Sequence, residues 1–77
     1  MAPTAVTNSI RQLRFQQGEM TQQELADRID VTRQTVVAIE QGRYAPSLEI
    51  AFRIAEVFQC KMEEVFQYQG SGKKAKK

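Results

Sequence analysis

The sequence contains no histidine and a single cysteine, Cys60, among its 77 residues. A lone cysteine cannot form a disulfide within the chain, and without histidine too few ligands remain for a zinc site. This cysteine usage is typical of a reducing cytoplasm. A serine or cysteine nucleophile would also have no histidine to act as its base. We therefore predict a cytoplasmic, non-enzymatic protein that needs no metal and no cofactor.

Long apolar runs are missing as well. No stretch approaches the ~20 apolar residues that a membrane-spanning helix requires. The first residues, MAPTAVTN, lack the charged start and apolar core of a signal peptide. A glycine-rich phosphate loop is absent too, because Gly70-Ser71-Gly72 is followed by no helical pattern. With 42% hydrophobic residues, the chain is nevertheless predicted to fold as one small domain.

The net charge of +2 is concentrated at one end of the chain. Four lysines lie among the last five residues, and without them seven basic residues face nine acidic ones, a net charge of −2. Any affinity of the folded part for nucleic acid must therefore come from the placement of its basic side chains. We expect residues 70–77 to form a flexible basic tail, either without function or as a sequence-blind clamp on phosphates.

Residues 21–41 have the clearest pattern in the chain, that of two short helices joined by a tight turn. Thr21 and Glu24 have the spacing of a capping box, which predicts the start of the first helix. The apolar residues of this helix then recur on one face: Leu25, Ala26 and Ile29. The pattern breaks at Asp30, a residue type that tolerates the left-handed backbone of a turn better than most.

The second helix of this motif is predicted to begin at Thr32, which can cap it. Val36 and Ile39 form an apolar stripe at helical spacing. Gly42 supplies the residue type that most readily adopts the left-handed conformation ending a helix. Two helices joined by a turn of three or four residues describe a helix-turn-helix.

The segment QELADRIDVTRQTVVAIEQGRYAPSLE resembles the phage Cro/C1-repressor type of DNA-binding domain, also called the xenobiotic-response-element family. The matching features are Gln-x-x-Leu-Ala, the valine after the turn, Arg-Gln-Thr, Ile-Glu before the glycine, and Pro-Ser-Leu. The resemblance covers about residues 8–66, and EVFQYQ at 64–69 is similar to the end of a short member, the cytolysin repressor. It implies an all-α, five-helix repressor-like domain with a small terminal pair of β-strands.

The segments outside the motif are predicted as follows. Residues 1–6 form an N-terminal arm, either frayed or with a short strand at 5–7 that pairs with the C-terminal segment. The domain then spans residues 7–69. Its first helix, 7–17, is capped by Thr7 or Asn8, ends at Gly18 and has these apolar residues: Ile10, Leu13 and Phe15.

Two helical segments are predicted after the motif. A strong helix is expected from Ser47, its cap, to Phe58, with this inward face: Leu48, Ala51, Ile54, Ala55 and Phe58. A weaker helix at 61–66 lacks a capping side chain because Lys61 stands at its start. Residues 66–69 then alternate apolar and polar, as in a strand.

The outward face of the second motif helix has the chemistry to read DNA. Val36 and Ile39 are predicted to face inward. Arg33, Gln34 and Val37 then project outward near the N-terminal end, the part of a recognition helix that meets base edges. Arginine can bond guanine, glutamine can bond adenine, and valine can pack on a thymine methyl. The alternative is a solvated helix face, with Val37 as an ordinary packing residue.

The resemblance implies further contacts with the DNA backbone. Gln22, at the first turn of its helix, is expected to bind phosphate and to brace the first recognition side chain. The hydroxyls of Thr32 and Thr35 can serve a phosphate or a base. Arg43 and Tyr44 follow the recognition helix, where family members touch phosphates and so fix register without reading sequence. Tyr44 could equally pack beneath its loop.

The resemblance also implies an ion pair between Arg14 and Glu40. The planar fork of arginine can grip a carboxylate with two bonds, so the pair would pin the first helix to the recognition helix. The alternative is that both are solvated surface charges.

These features together predict a sequence-specific transcription regulator, a repressor that binds double-stranded DNA as a homodimer. A two-fold dimer would place its recognition helices about 34 Å apart, matching successive major-groove turns of a near-palindromic site. We expect the dimer interface at Val57, Phe66 and Tyr68. The protein would associate with the nucleoid when bound, with no membrane and no evident small-molecule ligand as partner. The alternative, motivated by surplus apolar residues such as Ile50 and Phe52, is an antitoxin-type module that masks another protein.

Overall fold

The computed structural model of the protein describes residues 4–68, which form a helical domain closed by a two-stranded sheet. The elements, in chain order, are β1 Val6–Asn8, α1 Ile10–Gln16, α2 Gln22–Ile29, α3 Arg33–Glu40, α4 Leu48–Phe58, α5 Met62–Val65 and β2 Phe66–Tyr68. This arrangement confirms the predicted five-helix fold with a terminal pair of strands. The predicted basic tail at 70–77 lies outside the described residues.

Three helices begin at the predicted caps. The N–H of Glu24 donates to Thr21 Oγ1 over 3.0 Å, and the N–H of Thr21 donates to Glu24 Oε1 over 2.7 Å, which completes the capping box of α2. Thr32 caps α3 and Ser47 caps α4 through their side-chain oxygens. Each cap satisfies a backbone donor that a helix leaves free at its start.

The helix ends are closed by left-handed residues. Asp30 has φ 62° and Gly42 has φ 73°, as the sequence predicts for the turn and for the end of α3. Gln59 after α4 also has a positive φ, of 55°, although nothing in its residue type signals this conformation. After Gln59, Lys61 stands at the N-cap position of α5 without a side-chain cap; instead the N–H of Lys61 donates to Glu64 Oε1 over 2.8 Å.

The start of α1 was predicted wrongly. The helix begins at Ile10 rather than Thr7, because residues 6–8 pair antiparallel with β2 in the register Val6↔Tyr68, Thr7↔Gln67 and Asn8↔Phe66. The strand alternative was therefore correct, one residue later than predicted. Asn8 still serves the start of the helix, since its Oδ1 accepts the N–H of Ile10 over 3.1 Å.

The core lies where α1, α2, α3 and α4 meet, and it includes the predicted inward residues of both motif helices. Phe15, expected to supply apolar contacts, and Leu48, expected to face inward, are both largely exposed. Phe15 is 53% exposed, because the neighbouring Arg14 occupies the buried face of α1. Leu48 is 69% exposed although it has the correct spacing from Ala51. Spacing predicts which side of a helix a residue lies on, but it does not show whether another element covers that position.

No helix between residues 4 and 68 has the length and the apolar character needed to cross a bilayer.

Candidate nucleic-acid interface

The recognition helix α3 is anchored by one face and leaves the other open. Val36 and Ile39 are 1% and 2% exposed and pack into the core, while α2 lies against the helix. On the opposite side, Arg33 and Gln34 are exposed, and Val37 is half-buried. The structure therefore places the two polar side chains predicted to read bases together at the N-terminal end of the helix.

The threonines at the start of α3 interact with each other. Thr32 Oγ1 accepts the N–H of Thr35 over 3.2 Å, and the two hydroxyl oxygens lie 3.0 Å apart. Thr32 is exposed and Thr35 is half-buried. Capping uses one lone pair of the Thr32 oxygen, and each hydroxyl keeps further hydrogen-bonding capacity.

Arg14 and Glu40 form a shielded ion pair behind the recognition helix. Arg14 Nε lies 2.7 Å from Glu40 Oε2, and Nη2 donates to Oε1 over 3.1 Å, so the fork makes two bonds to the carboxylate. Nη1 donates to the carbonyl of Met20 over 2.8 Å. The two charged side chains are only 9% and 8% exposed. This pair holds α1 against the end of α3.

Gln22 joins the same network from the start of α2. Its Nε2 donates to Glu40 Oε1 over 3.3 Å, and its side chain is half-buried. An amide nitrogen carries two hydrogens, so one remains available for a second acceptor. Gln22 thus lies beside Glu40, and its expected contacts with phosphate and with Arg33 stay predictions.

An open groove lined mostly by polar residues runs between α1, the start of α2 and the end of α3. Besides Arg14, Gln22 and Glu40, it is lined by Arg11 and Gln12, two residues that sequence reasoning missed. The guanidinium of Arg11 lies 5.6 Å from the centre of the Phe15 ring, a cation–π distance. Among residues 4–68, Arg11 has no carboxylate in ion-pair contact. The signal that could have found it is its position one turn before Arg14 and Phe15 on the same side of the helix.

The loop after α3 presents the two remaining predicted contacts. Arg43 is exposed, while its backbone N–H donates to the carbonyl of Ala38 over 3.0 Å. Tyr44 is 38% exposed, so its side chain is largely accessible to solvent. Both side chains are accessible at the C-terminal end of the recognition helix.

The predicted dimer residues do not form one exposed patch. Val57 and Phe66 are half-buried against the core, and only Tyr68, at 69%, is strongly exposed. The exposed apolar residues of α4 are instead Leu48 and Phe52, at 69% and 57%. They line a shallow groove whose far end is formed by Cys60 and Met62. We call these four residues the α4 patch.

Comparison with known proteins agrees with this geometry. Residues 10–65 match a family model described as helix-turn-helix. The chain belongs to the Cro/C1-type helix-turn-helix family of DNA-binding regulators. Membership in this helix-turn-helix family also agrees with the prediction of a non-enzymatic protein.

Relatives of this helix-turn-helix chain come from both archaea and bacteria. An uncharacterized HTH-type transcriptional regulator of Methanocaldococcus jannaschii is 50% identical over 50 residues, which is 65% of this chain and 76% of the relative. The uncharacterized HTH-type transcriptional regulator YgzD of Bacillus subtilis is 48% identical over 59 residues, or 77% of this chain and 88% of YgzD. A crystal structure from Bacteroides fragilis has the same fold, with a TM-score of 0.71 and 18% identity over 80% of this chain and 98% of that one.

Proposed function

We propose that this protein represses transcription by binding, as a homodimer, a near-palindromic operator through the major groove. The observation that carries the proposal is the placement of Arg33 and Gln34. Both are exposed at the N-terminal end of a helix whose other face is fixed in the core by Val36 and Ile39. That end of a recognition helix is the part that meets base edges in helix-turn-helix proteins.

The side chains divide into base readers and backbone contacts. Arg33 can donate two bonds to guanine, Gln34 can bond adenine as donor and acceptor together, and Val37 can pack against a thymine methyl. Thr32, Thr35, Gln22, Arg43 and Tyr44 would bind phosphates and so set the register of the helix on the duplex. Arg11 adds a further cation in the groove beside Gln22. A charge placed in this way supports DNA binding even though the chain without its lysine tail is net acidic.

A second copy of the chain is the proposed occupant of the α4 patch. Leu48 and Phe52 are exposed, whereas Val57 and Phe66 already contribute part of their surface to the core. The groove is rimmed by charges of both signs, including Glu56 and Lys61, so a two-fold partner can place opposite charges across the contact. We therefore favour the α4 patch over Val57 and Phe66 as the centre of the dimer, with Tyr68 as an exposed neighbour to test.

The test of the DNA-binding proposal is operator selection from random duplex DNA, followed by affinity measurements on the selected site. The double variant Arg33→Ala and Gln34→Ala should lose selectivity, because each good base contact contributes about 1–3 kcal/mol of discrimination. Arg28→Ala is the matched control, since Arg28 is an exposed arginine on α2 and lies outside the recognition helix. Equal affinity and the same selected site for the folded double variant would refute the assigned readout.

The direction of regulation needs a separate experiment. A dimer bound across a promoter excludes polymerase from the same DNA, which is the basis for proposing repression. The selected operator is placed over a promoter that drives a reporter, and the protein is supplied in trans. Lower reporter output than with the double variant supports repression, and higher output would make the protein an activator.

The α4 patch also keeps a second candidate function open, that of an antitoxin-type module which masks another protein. An exposed apolar face of this kind fits a heterologous partner as well as a second copy. The discriminating measurement is a pull-down at low salt, with and without DNA. A stoichiometric protein partner together with no sequence-selective DNA binding would favour this second function.

A further inference from the structure

The recognition helix ends in a closed backbone motif. The N–H of Gly42 donates to the carbonyl of Ile39, and the N–H of Arg43 donates to that of Ala38, both over 3.0 Å. This pair of bonds around a left-handed glycine satisfies the last carbonyls of α3 from within the chain segment itself. The last turn of the helix is therefore hydrogen-bonded within its own segment.

Two more hydrogen bonds reach this helix end from the N-terminal segment. Asn8 Nδ2 donates to the carbonyl of Ile39 over 2.8 Å, and the N–H of Thr4 donates to the carbonyl of Gly42 over 2.9 Å. The other side-chain atom of Asn8, Oδ1, accepts the N–H of Ile10. One half-buried amide thus connects the start of α1 to the end of the recognition helix.

The segment that carries Asn8 is itself held in place. Asn8 pairs with Phe66 in the two-stranded sheet, and the N–H of the next residue, Ser9, donates to the carbonyl of Val65 over 2.9 Å. The amide therefore links α3 to a segment that is itself hydrogen-bonded to β2 and to the end of α5. The Arg14–Glu40 pair restrains the same helix end through a side chain, whereas Asn8 restrains its main chain.

A restraint at the C-terminal end of α3 also limits the position of its N-terminal end, because a tilt of the helix about Ile39 displaces Arg33. Six residues separate Ile39 from Arg33, about 9 Å along the axis at ~1.5 Å per residue, so a tilt of about 10° about Ile39 would displace Arg33 by roughly 1.6 Å. Hydrogen bonds to base edges tolerate a range of only about 0.5 Å in length. A small tilt of this short helix is enough to break two-bond contacts at its tip.

We propose that Asn8 is a positioning residue for DNA reading. Its amide holds the end of α3 so that Arg33 and Gln34 reach their bases together, although Asn8 itself touches no DNA. This inference rests on the proposed function and adds to it a residue outside the helix-turn-helix. It predicts that Asn8 matters for operator affinity more than for affinity to DNA of arbitrary sequence, which depends on charge.

The test variant is Asn8→Ser, which is neutral and keeps a short oxygen acceptor for the N–H of Ile10 but cannot reach Ile39. The control is Ser47→Ala, which removes the cap of α4 without touching α3. Affinities for the selected operator and for a scrambled duplex are measured at a temperature where thermal unfolding shows every variant folded. We expect Asn8→Ser to lose about tenfold in operator affinity, the order of one weakened base contact, with little change on the scrambled duplex. Ser47→Ala should bind the operator like the wild type.

Hydrogen exchange in the absence of DNA gives a second, independent result. In Asn8→Ser, the amides of Gly42 and Arg43 should exchange faster while those in the middle of α4 are unchanged. Unchanged exchange at the end of α3 would overturn the proposal whatever the DNA results. So would operator affinity equal to the wild type, an equal loss on both duplexes, or an equal loss in Ser47→Ala. A wild-type protein that selects no operator would instead count against the proposed function.

Discussion

At the scale of single residues, the recognition helix is restrained by the pair of charges behind it. Arg14 directs three donors to fixed acceptors, two on Glu40 and one on the carbonyl of Met20. Both side chains are shielded, at 9% and 8% exposure, whereas Arg53 and Glu49 form a solvated pair at 40% and 74%. The nitrogen-to-oxygen distance is 2.7 Å in both pairs, so the difference between them is their burial.

This contrast gives the first prediction. Arg14→Ala should lower the free energy of unfolding by about 3–5 kcal/mol, because it leaves the Glu40 carboxylate shielded and without its partner. Arg14→Lys should recover only part of the loss, since a lysine cannot form the two-bond fork. Urea unfolding monitored by circular dichroism measures both changes. In the control Glu49→Ala, the loss should stay below about 1 kcal/mol, and comparable losses at both positions would show that burial does not decide the energy.

At the scale of elements, the sequence predicted the helix starts and ends that depend on residues three or four positions apart. The caps at Thr21, Thr32 and Ser47 and the stop at Gly42 are local features, and all four are present. The start of α1 could not be predicted in this way. It depends on pairing with β2, about 60 residues away along the chain, which takes residues 6–8 into a strand.

Gln59 shows a different limit of local reasoning. It ends α4 with φ 55° and ψ 44°, and the N–H groups of Gln59 and Cys60 close the helix as those after α3 do. Glycine or asparagine is the usual signal for this conformation, and glutamine is not. The bonds of the helix end, together with the packing of Phe58 and Val65 on either side, hold a residue that has no intrinsic preference for the position.

The strain at Gln59 gives the second prediction. Gln59→Gly should raise the free energy of unfolding by roughly 0.5–1 kcal/mol. An ordinary side chain costs about 1–2 kcal/mol in the left-handed region, and glycine removes this cost. Part of the gain is cancelled because glycine loses more backbone entropy on folding. Asp30→Gly should gain less, since aspartate tolerates the conformation. The control Gln41→Gly, at φ −82°, should be destabilising. Thermal unfolding measures all three, and a loss of stability in Gln59→Gly would show that this backbone is not strained.

At the scale of the whole molecule, the candidate site was predictable in part. Helical spacing alone placed Arg33 and Gln34 outward, because the inward residues of α3 were recognisable as apolar. The groove that contains Arg11 lies between α1, α2 and α3, and the hydrogen bonds of Asn8 join β1 to α1 and α3. Because both features need several elements, no single segment of sequence signals them. The dimer interface predicted at Val57, Phe66 and Tyr68 stays a prediction, but sequence spacing did not show that Val57 and Phe66 pack partly against the core.

The third prediction concerns the α4 patch, and the chain offers a closely matched control for it. Phe52 and Phe15 are both exposed aromatic residues, at 57% and 53%, but only Phe52 belongs to the patch. Neither side chain is in the core, so replacing either with serine should leave the core packing intact. The Phe15 ring lies 5.7 Å from the Arg14 guanidinium, so circular dichroism must show that Phe15→Ser is folded. Sedimentation at micromolar concentration should then show wild type and Phe15→Ser as dimers and Phe52→Ser as a monomer.

The Phe52→Ser variant also connects assembly to DNA binding. Two linked recognition helices bind a two-half-site operator with an effective concentration that a monomer lacks, which is commonly worth 10²–10⁴ in affinity. Phe52→Ser should therefore bind a single half-site like the wild type and lose about a hundredfold or more on the full operator. If β2 borders the interface, the affinity of Tyr68→Ser for the full operator should lie between those of Phe52→Ser and the wild type. A Phe52→Ser protein that still sediments as a dimer would place the second copy elsewhere on the surface.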